Sequence, residues 1–238
     1  NIEEPAEKKR FILEHSEAVA VCCWQEYVEE VTKLQRGLPA LRQVIALNDD
    51  GFMEGKGHGV MGKRPHHSTA SHHLPHVSSL DDDALIVYTS GTTGPPKGVV
   101  LTVENLLTDA DAIADWHRFG MNDRLMCVLP IHHVNGTVVT LVTPFYCKGS
   151  IVLNRKFKSG TFWRRLHEEG VTCVSVVPTL LEFLLDGDED LAPYRLDRFG
   201  GFICGAGPLL RDTALRFEAR FRFPIRHGYG LSETTCYS

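Results

Sequence analysis

The chain has no surplus of positive charge. Its 25 Lys and Arg are outnumbered by 30 Asp and Glu among 238 residues, for a net charge of −5 with His neutral. Such a balance does not advertise a polyanion-binding surface, and no nucleic-acid partner is expected. Long apolar runs are missing as well. The most apolar later stretch, VVTLVTPFYC, is too short to span a bilayer, and the opening residues NIEEPAEKKR are charged where a secretory signal would be apolar. The expectation is no transmembrane segment and a cytoplasmic setting. Seven cysteines include no C-x-x-C pair, which argues against a zinc or disulfide framework. Cys22 and Cys23 in AVAVCC and Cys204 in GGFIC read instead as reduced, buried thiols. The chain starts at Asn1 and stops at Ser238 without a run-down of polarity, as expected of a piece of something longer.

What is present is apolar material, 43% of residues, in a repeating pattern. Short β-branched runs at 18–23, 43–48, 84–89, 125–130, 150–153, 172–177 and 200–205 alternate with amphipathic stretches at 24–36, 103–118, 160–169, 179–186 and 208–222. Most of the runs lack polar alternation, which predicts strands buried on both faces. The fold class is therefore α/β, a mainly parallel sheet with flanking helices. In the last helix Leu210, Ala214, Phe217 and Phe221 fall on one stripe. Residues 48–83 break the pattern with glycines and His58, His66, His67, His72, His73 and His76. A stretch this long without periodicity predicts a mobile insertion. Its histidines lack an acidic or thiol partner at fixed spacing, so composition is preferred to a metal site.

The segment YTSGTTGPPKG (88–98) follows a buried run. Its glycines let backbone N–H groups approach a ligand closely, and Thr89, Ser90, Thr92 and Thr93 add hydroxyl donors. Phosphate oxygens suit such a concavity, and Lys97 adds a mobile positive charge. It is not a Walker loop: Pro96 precedes the lysine, Gly98 follows it, and VVLT downstream favours a strand over a helix. A plain hairpin turn would need Gly and Pro but has no use for four hydroxyls and a lysine.

These residues resemble the signature of the adenylate-forming superfamily, which includes acyl-CoA synthetases, luciferases and peptide-synthetase adenylation domains. Three further segments match in the family's order: LPIHHVNG (129–136), GAGPLL (205–210) and HGYGLSETT (227–235). The resemblance implies ATP-dependent activation of a carboxylic acid to an acyl-adenylate and then a coenzyme A thioester. It also implies that residues 1–238 are a partial AMP-binding domain, part of the large N-terminal domain of that fold. The first sheet elements, a ribose-binding Asp and a C-terminal domain with the catalytic lysine fall outside it, so these residues alone should be inactive.

Roles follow from the resemblance. Thr89, Ser90, Gly91, Thr92, Thr93, Gly94 and Lys97 would hold the β- and γ-phosphates. Glu233 would bind Mg²⁺, and the Ser232 hydroxyl would meet the α-phosphate. Tyr229, with Gly230 beside it, would stack on adenine against a wall of Gly205, Ala206, Gly207 and Pro208. His133 matches the gate of the acyl pocket, and His132 departs from the family's usual aromatic. Each has a plainer alternative: S-E-T-T as a helix cap, GAGPLL as a strand-to-helix turn, His133 as a core histidine. The IHHVNG region has no acid to pair with an ammonium group. Burying one unpaired costs on the order of several kcal/mol, so a fatty or aromatic acid is expected rather than an amino acid. The competing reading of the chain is a non-catalytic nucleotide-binding or interaction module that keeps the fold.

Overall fold

The computed structural model describes residues 4–47, 53–55, 79–89 and 95–237, with backbone alone at 53–55. Contacts divide the chain into two units, residues 1–77 with 88–98, and 78–87 with 99–238. Among the described residues no helix is long and apolar enough to cross a membrane.

In the first unit α1 (Ala6–His15) precedes β1 (Ala20–Trp24), a 3₁₀ turn, α2 (Val28–Gln35) and β2 (Gln43–Leu47). β1 and β2 pair in parallel from Ala20↔Gln43 to Trp24↔Leu47. Val28, Val31, Val44 and Ala46 form a small core, and Lys9 Nζ reaches Glu30 Oε1 at 2.6 Å to tie α1 to α2. The sequence did not signal α1, which has no buried residue and so no strong stripe. β3 (Met53–Gly55) pairs antiparallel with β2, which corrects the expectation that 48–83 lacks structure throughout. The six histidines of that segment lie outside the described residues. Cys22 is exposed and Cys23 half-buried, contrary to the reading of both as buried, because Val21 and Cys23 lean on the small core while Cys22 points to the opposite face of the strand.

The strand, loop and strand expected around 88–98 corresponds to β4 (Asp83–Thr89) and β5 (Lys97–Thr102), which pair as a two-stranded sheet. Thr102 closes β5 and caps α3 (Val103–His117) through a reciprocal box: Asn105 N–H donates to Thr102 Oγ1 at 3.2 Å, and Thr102 N–H donates to Asn105 Oδ1 at 3.0 Å.

The second unit is built on five parallel strands: β6 (Arg124–Cys127), β7 (Ser150–Leu153), β8 (Cys173–Val176), β9 (Phe202–Cys204) and β10 (Ile225–His227). Their order is β10-β9-β8-β6-β7. Between them run α4 (Thr143–Tyr146), α5 (Ser159–Glu168), α6 (Pro178–Leu185) and α7 (Arg211–Phe221). Alternate strand residues serve opposite faces. Met126, Val174, Val176, Phe202 and Cys204 pack with Phe162, Trp163, Leu166, Leu181, Phe217 and Phe221, whereas Leu125, Cys173 and Ile203 pack with Ile113, Val138 and Val139. Helices therefore cover both faces, which is why the strands read as unbroken apolar runs.

In the second unit two further elements were not legible. β10 is only three residues, IRH, and carries no apolar run. Residues Asn135–Val142 form a π-helix leading into α4. Pro144 has no N–H to continue an α-helical ladder, and the hydroxyls of Thr140 and Thr143 instead bond the carbonyls of Gly136 at 2.6 Å and Val138 at 2.9 Å. The stripe expected on α7 is partly right. Phe217 and Phe221 are buried, but Leu210 is 67% exposed and the helix starts only at Arg211.

Trp163 anchors the larger core: it is 1% exposed, with ring centroids 4.7 Å from Phe221 and 6.1 Å from Phe202. Trp163→Ala should lower unfolding free energy by about 3–5 kcal/mol, read from denaturant titration followed by circular dichroism.

Candidate active site

The parallel sheet directs the sequence-assigned segments of the second unit to one end. β6 ends at Cys127 and leads to His133, β9 ends at Cys204 and leads to Gly205, and β10 ends at His227 and leads to Gly228 and Tyr229. The sheet order makes β6 a branch point, since the chain goes outward from β6 to β7 and then returns past it to β8. Doubly wound sheets take ligands outside the carboxyl ends of their strands at such a switch point.

The two glycine segments are joined there. His227 Nε2 lies 3.2 Å from the Gly207 carbonyl, and Gly228 N–H donates to Cys204 O at 2.9 Å. Ala206 sits at φ +60°, turning the chain sharply after Gly205. Pro208 stands three residues before α7, so it belongs to this loop rather than to the helix start. Gly230 is required by packing, since a Cβ there would lie 1.5 Å from the Cys236 carbonyl oxygen. Tyr229 is 70% exposed, its ring free to stack on a planar ligand. Ser232 is half-buried and Glu233 exposed on a short 3₁₀ turn, Ser232–Thr234, instead of the ordinary helix start weighed from sequence. Leu231 N–H donates to Thr234 Oγ1 at 3.0 Å to close that turn.

His133 is exposed, and its ring centroid lies 4.4 Å from that of His132. Its alternative role as a core histidine is thereby set aside. Thr89 ends β4 and Lys97 opens β5, both in the first unit. Ser90, Gly91, Thr92, Thr93 and Gly94 lie outside the described residues. Of the apolar residues that follow His133, Val134 is half-buried, whereas Val138 and Val139 are fully buried in the core. Among the described residues no group of three or more His, Cys, Asp or Glu is poised around a metal position. A cation here would take Glu233 together with phosphate and water oxygens, as Mg²⁺ does.

Two further features carry no mark in the residue pattern. Asn135, 6% exposed, accepts a 2.5 Å hydrogen bond on Oδ1 from the Ser175 hydroxyl of β8. The other feature is a pair of titrating groups on α3. Burial pushes the Asp109 carboxyl up to about 6, opposed by the Tyr237 backbone N–H that it accepts, and its Oδ2 has no partner. Burial, and secondarily the Arg226 charge, push His117 down to about 4. His117 also lines a cavity of about 540 Å³ with Trp116, Arg118, Arg226 and His227. None of the sequence-assigned residues lines it.

The fold defines the class, a doubly wound α/β unit, and folds of this class take ligands outside the carboxyl ends of their strands. A sequence model of the AMP-binding enzyme family matches residues 1–238, and the chain belongs to that family. It is 33% identical over 228 residues to sulfoacetate–CoA ligase of Cupriavidus necator, covering 94% of this chain and 42% of that protein. Its fold is similar to that of ATP-bound MatB from Rhodopseudomonas palustris, with TM-score 0.78, 24% identity, and coverage of 99% of this chain and 44% of the other. It is likewise similar to the inhibitor-bound N-terminal domain of FACL13 from Mycobacterium tuberculosis, with TM-score 0.78, 23% identity, and coverage of 99% and 56%. The chain spans about two fifths of the length of the curated relatives it matches.

The two shifts on α3 oppose each other. Between about pH 4 and 6 the folded chain holds a proton on Asp109 that the unfolded chain has released, so this group's contribution to stability falls as pH rises. Between about pH 4 and 6.5 the folded chain leaves His117 neutral where the unfolded chain protonates it, so that contribution rises with pH. Asp109→Asn should therefore raise the melting temperature at pH 7.5, leave it unchanged at pH 4, and steepen the rise of stability between pH 4 and 6.5. Thermal melts across that range check all three.

Proposed function

We propose that this chain supplies the nucleotide- and acid-binding part of a ligase that activates a carboxylic acid with ATP and passes the acyl group to coenzyme A. The observation that carries the reading is the family match over the whole chain, supported by the meeting of the GAGP and GYGLSE segments through His227 and Gly207. In the first half-reaction a carboxylate oxygen attacks the α-phosphorus and pyrophosphate leaves. In the second, the thiolate of coenzyme A attacks the acyl carbonyl and AMP leaves.

The residues fit these ligands. Tyr229 offers an exposed ring to adenine, and the 205–208 loop, turned at Ala206, offers backbone to the base. Lys97 and the hydroxyls and N–H groups of 89–94 would stabilise charge building on the departing pyrophosphate. Glu233 and the Ser232 hydroxyl would face the cation and the α-phosphate; Mg²⁺, when bound, neutralises phosphate charge. His133 would gate the acyl pocket. The IHHVNG region offers no acid to pair with an ammonium group, which favours an acid with a fatty or aromatic body over an amino acid. The sulfoacetate for which one relative is named carries a second anionic group, which such a body does not exclude.

Two measurements test the reading. Lys97→Ala should weaken ATP at least tenfold while leaving AMP within about twofold by calorimetry, since only ATP carries the phosphates the lysine would touch. Equal losses would show that the loop grips something else. Acid-dependent exchange of labelled pyrophosphate into ATP should be near background for residues 1–238 alone and rise at least a hundredfold when a C-terminal domain supplies the family's lysine, the scale expected for one contact to developing charge. Nucleotide binding without exchange under either condition would favour the non-catalytic module.

A further inference from the structure

We propose that His15 is a positioning residue for the triphosphate of ATP: from the end of α1 it holds the Tyr88 hydroxyl and so fixes the strand end at Thr89 that meets the phosphates. The inference rests on the phosphate role given above to Thr89 and Lys97. His15 Nδ1 lies 2.8 Å from the Tyr88 hydroxyl oxygen, and the two rings meet edge to face with centroids 5.7 Å apart. The partners are 73 positions apart in the chain, and both belong to the first unit.

Core packing does not account for the place of α1. None of its ten residues is buried, and no side chain caps its start. A helix this short is marginal in isolation, so contacts beyond it must hold it. Those contacts are polar. Lys9 Nζ reaches Glu30 Oε1 on α2 at 2.6 Å, and Arg10 Nη2 donates to the Gly37 carbonyl at 2.9 Å. Both ties lie in the first half of the helix, and His15 adds a third at its other end. The His15 ring stacks on Phe11, one turn back on the same face, at 5.3 Å. Ser16 then donates to the Ile12 carbonyl at 2.7 Å, and Glu17 turns the chain at φ +49°. The imidazole is therefore held from its own side before it meets Tyr88.

Tyr88 is the last residue but one of β4, and Thr89, the last, is the first of the residues assigned to the β- and γ-phosphates. Neighbouring side chains of a strand point to opposite faces, so holding the half-buried Tyr88 ring on one face sets the direction of Thr89 on the other. The Ser16 hydroxyl also bonds Tyr88, so two adjacent residues grip the phenol. Donors aimed before ATP arrives need no reorganisation as charge builds on the departing pyrophosphate. AMP lacks those phosphates, so loss of the tie should tell on ATP alone. One neutral hydrogen bond is worth roughly two- to tenfold in an equilibrium, which sets the scale of the effect.

The test uses the natural full-length protein in magnesium-containing buffer with no acid present, so that ATP binds without reacting. Calorimetry gives the ratio of ATP to AMP affinity for the wild type, His15→Ala, Tyr88→Phe and the double variant, with Lys97→Ala alongside. His15→Ala should lower the ratio about fivefold, and Tyr88→Phe, which keeps the ring and loses the hydroxyl, at least as much. Adding His15→Ala to Tyr88→Phe should cost less than twofold more, because its partner is already gone. His15→Asn, whose amide can take the place of Nδ1, should bring the ratio back to within twofold of wild type. A role in stability alone would lower both affinities together and leave the ratio unmoved. The proposal is overturned if the ratio changes less than twofold in folded His15→Ala, or if the losses from the two single variants add in full. Should His15→Ala fail to fold, Tyr88→Phe and His15→Asn give the same readout. If Lys97→Ala lowers the ratio and the His15 and Tyr88 variants do not, the phosphate reading stands and the role of His15 falls. If no variant alters the ratio, both fall. A loss with His15→Ala but none with Lys97→Ala would uphold His15 and count against the contact assigned to the lysine.

Discussion

Burial of both faces of the five-stranded sheet constrains everything else in the second unit. Val174, Val176, Phe202 and Ile203 are each 1% exposed or less, because α5, α6 and α7 cover one face while α3 and the π-helical segment cover the other. A sheet sealed in this way can present polar chemistry only where its strands end. All five strands run in parallel, so their carboxyl ends gather on one edge and carry the loops after β6, β9 and β10 with them.

At that edge, close backbone approach replaces side-chain bulk. Gly205 faces Asn135, Gly230 lies against the Cys236 carbonyl, and Gly136 lies against that of Pro130. A methyl group at either of the last two would collide with main chain, which cannot swing aside as a flexible side chain can. These glycines therefore set how tightly the loops fold over one another. The exposed ring of Tyr229 and the exposed carboxylate of Glu233 are what the edge offers outward. The π-helix belongs to the same economy of space. Its wider turn lets Val138 and Val139 enter the core while Asn135, at its start, meets Ser175.

Much of this was legible from residue types. The strands at 125–130, 172–177 and 200–205 and the helices near 103–118, 160–169 and 179–186 were visible because burial on two faces writes a continuous apolar run and burial on one writes a stripe, whereas the apolar runs at 84–89 and 150–153 form strands that are largely exposed or half-buried. Elements without either mark escaped: α1 buries nothing, and β10 has three residues of which two are exposed. Leu210 fitted the α7 stripe by spacing yet is exposed, because the backbone there is still extended at ψ 137°. Cys22 and Cys23 looked interior by composition, but successive strand residues face opposite ways and only Cys23 leans on the core.

The sequence by itself determined the α/β class, the family, and which short segments carry glycines, hydroxyls and charge, because those properties are local and survive being read one residue after another. Only the tertiary structure decided that His227 would hold the Gly207 loop, that Asn135 would find Ser175 forty positions along the chain, and that Asp109 and His117 would be partly withdrawn from water on α3. Each of these depends on strand order and on what covers a side chain. A buried amide and an exposed one are the same letter until the sheet closes around one of them.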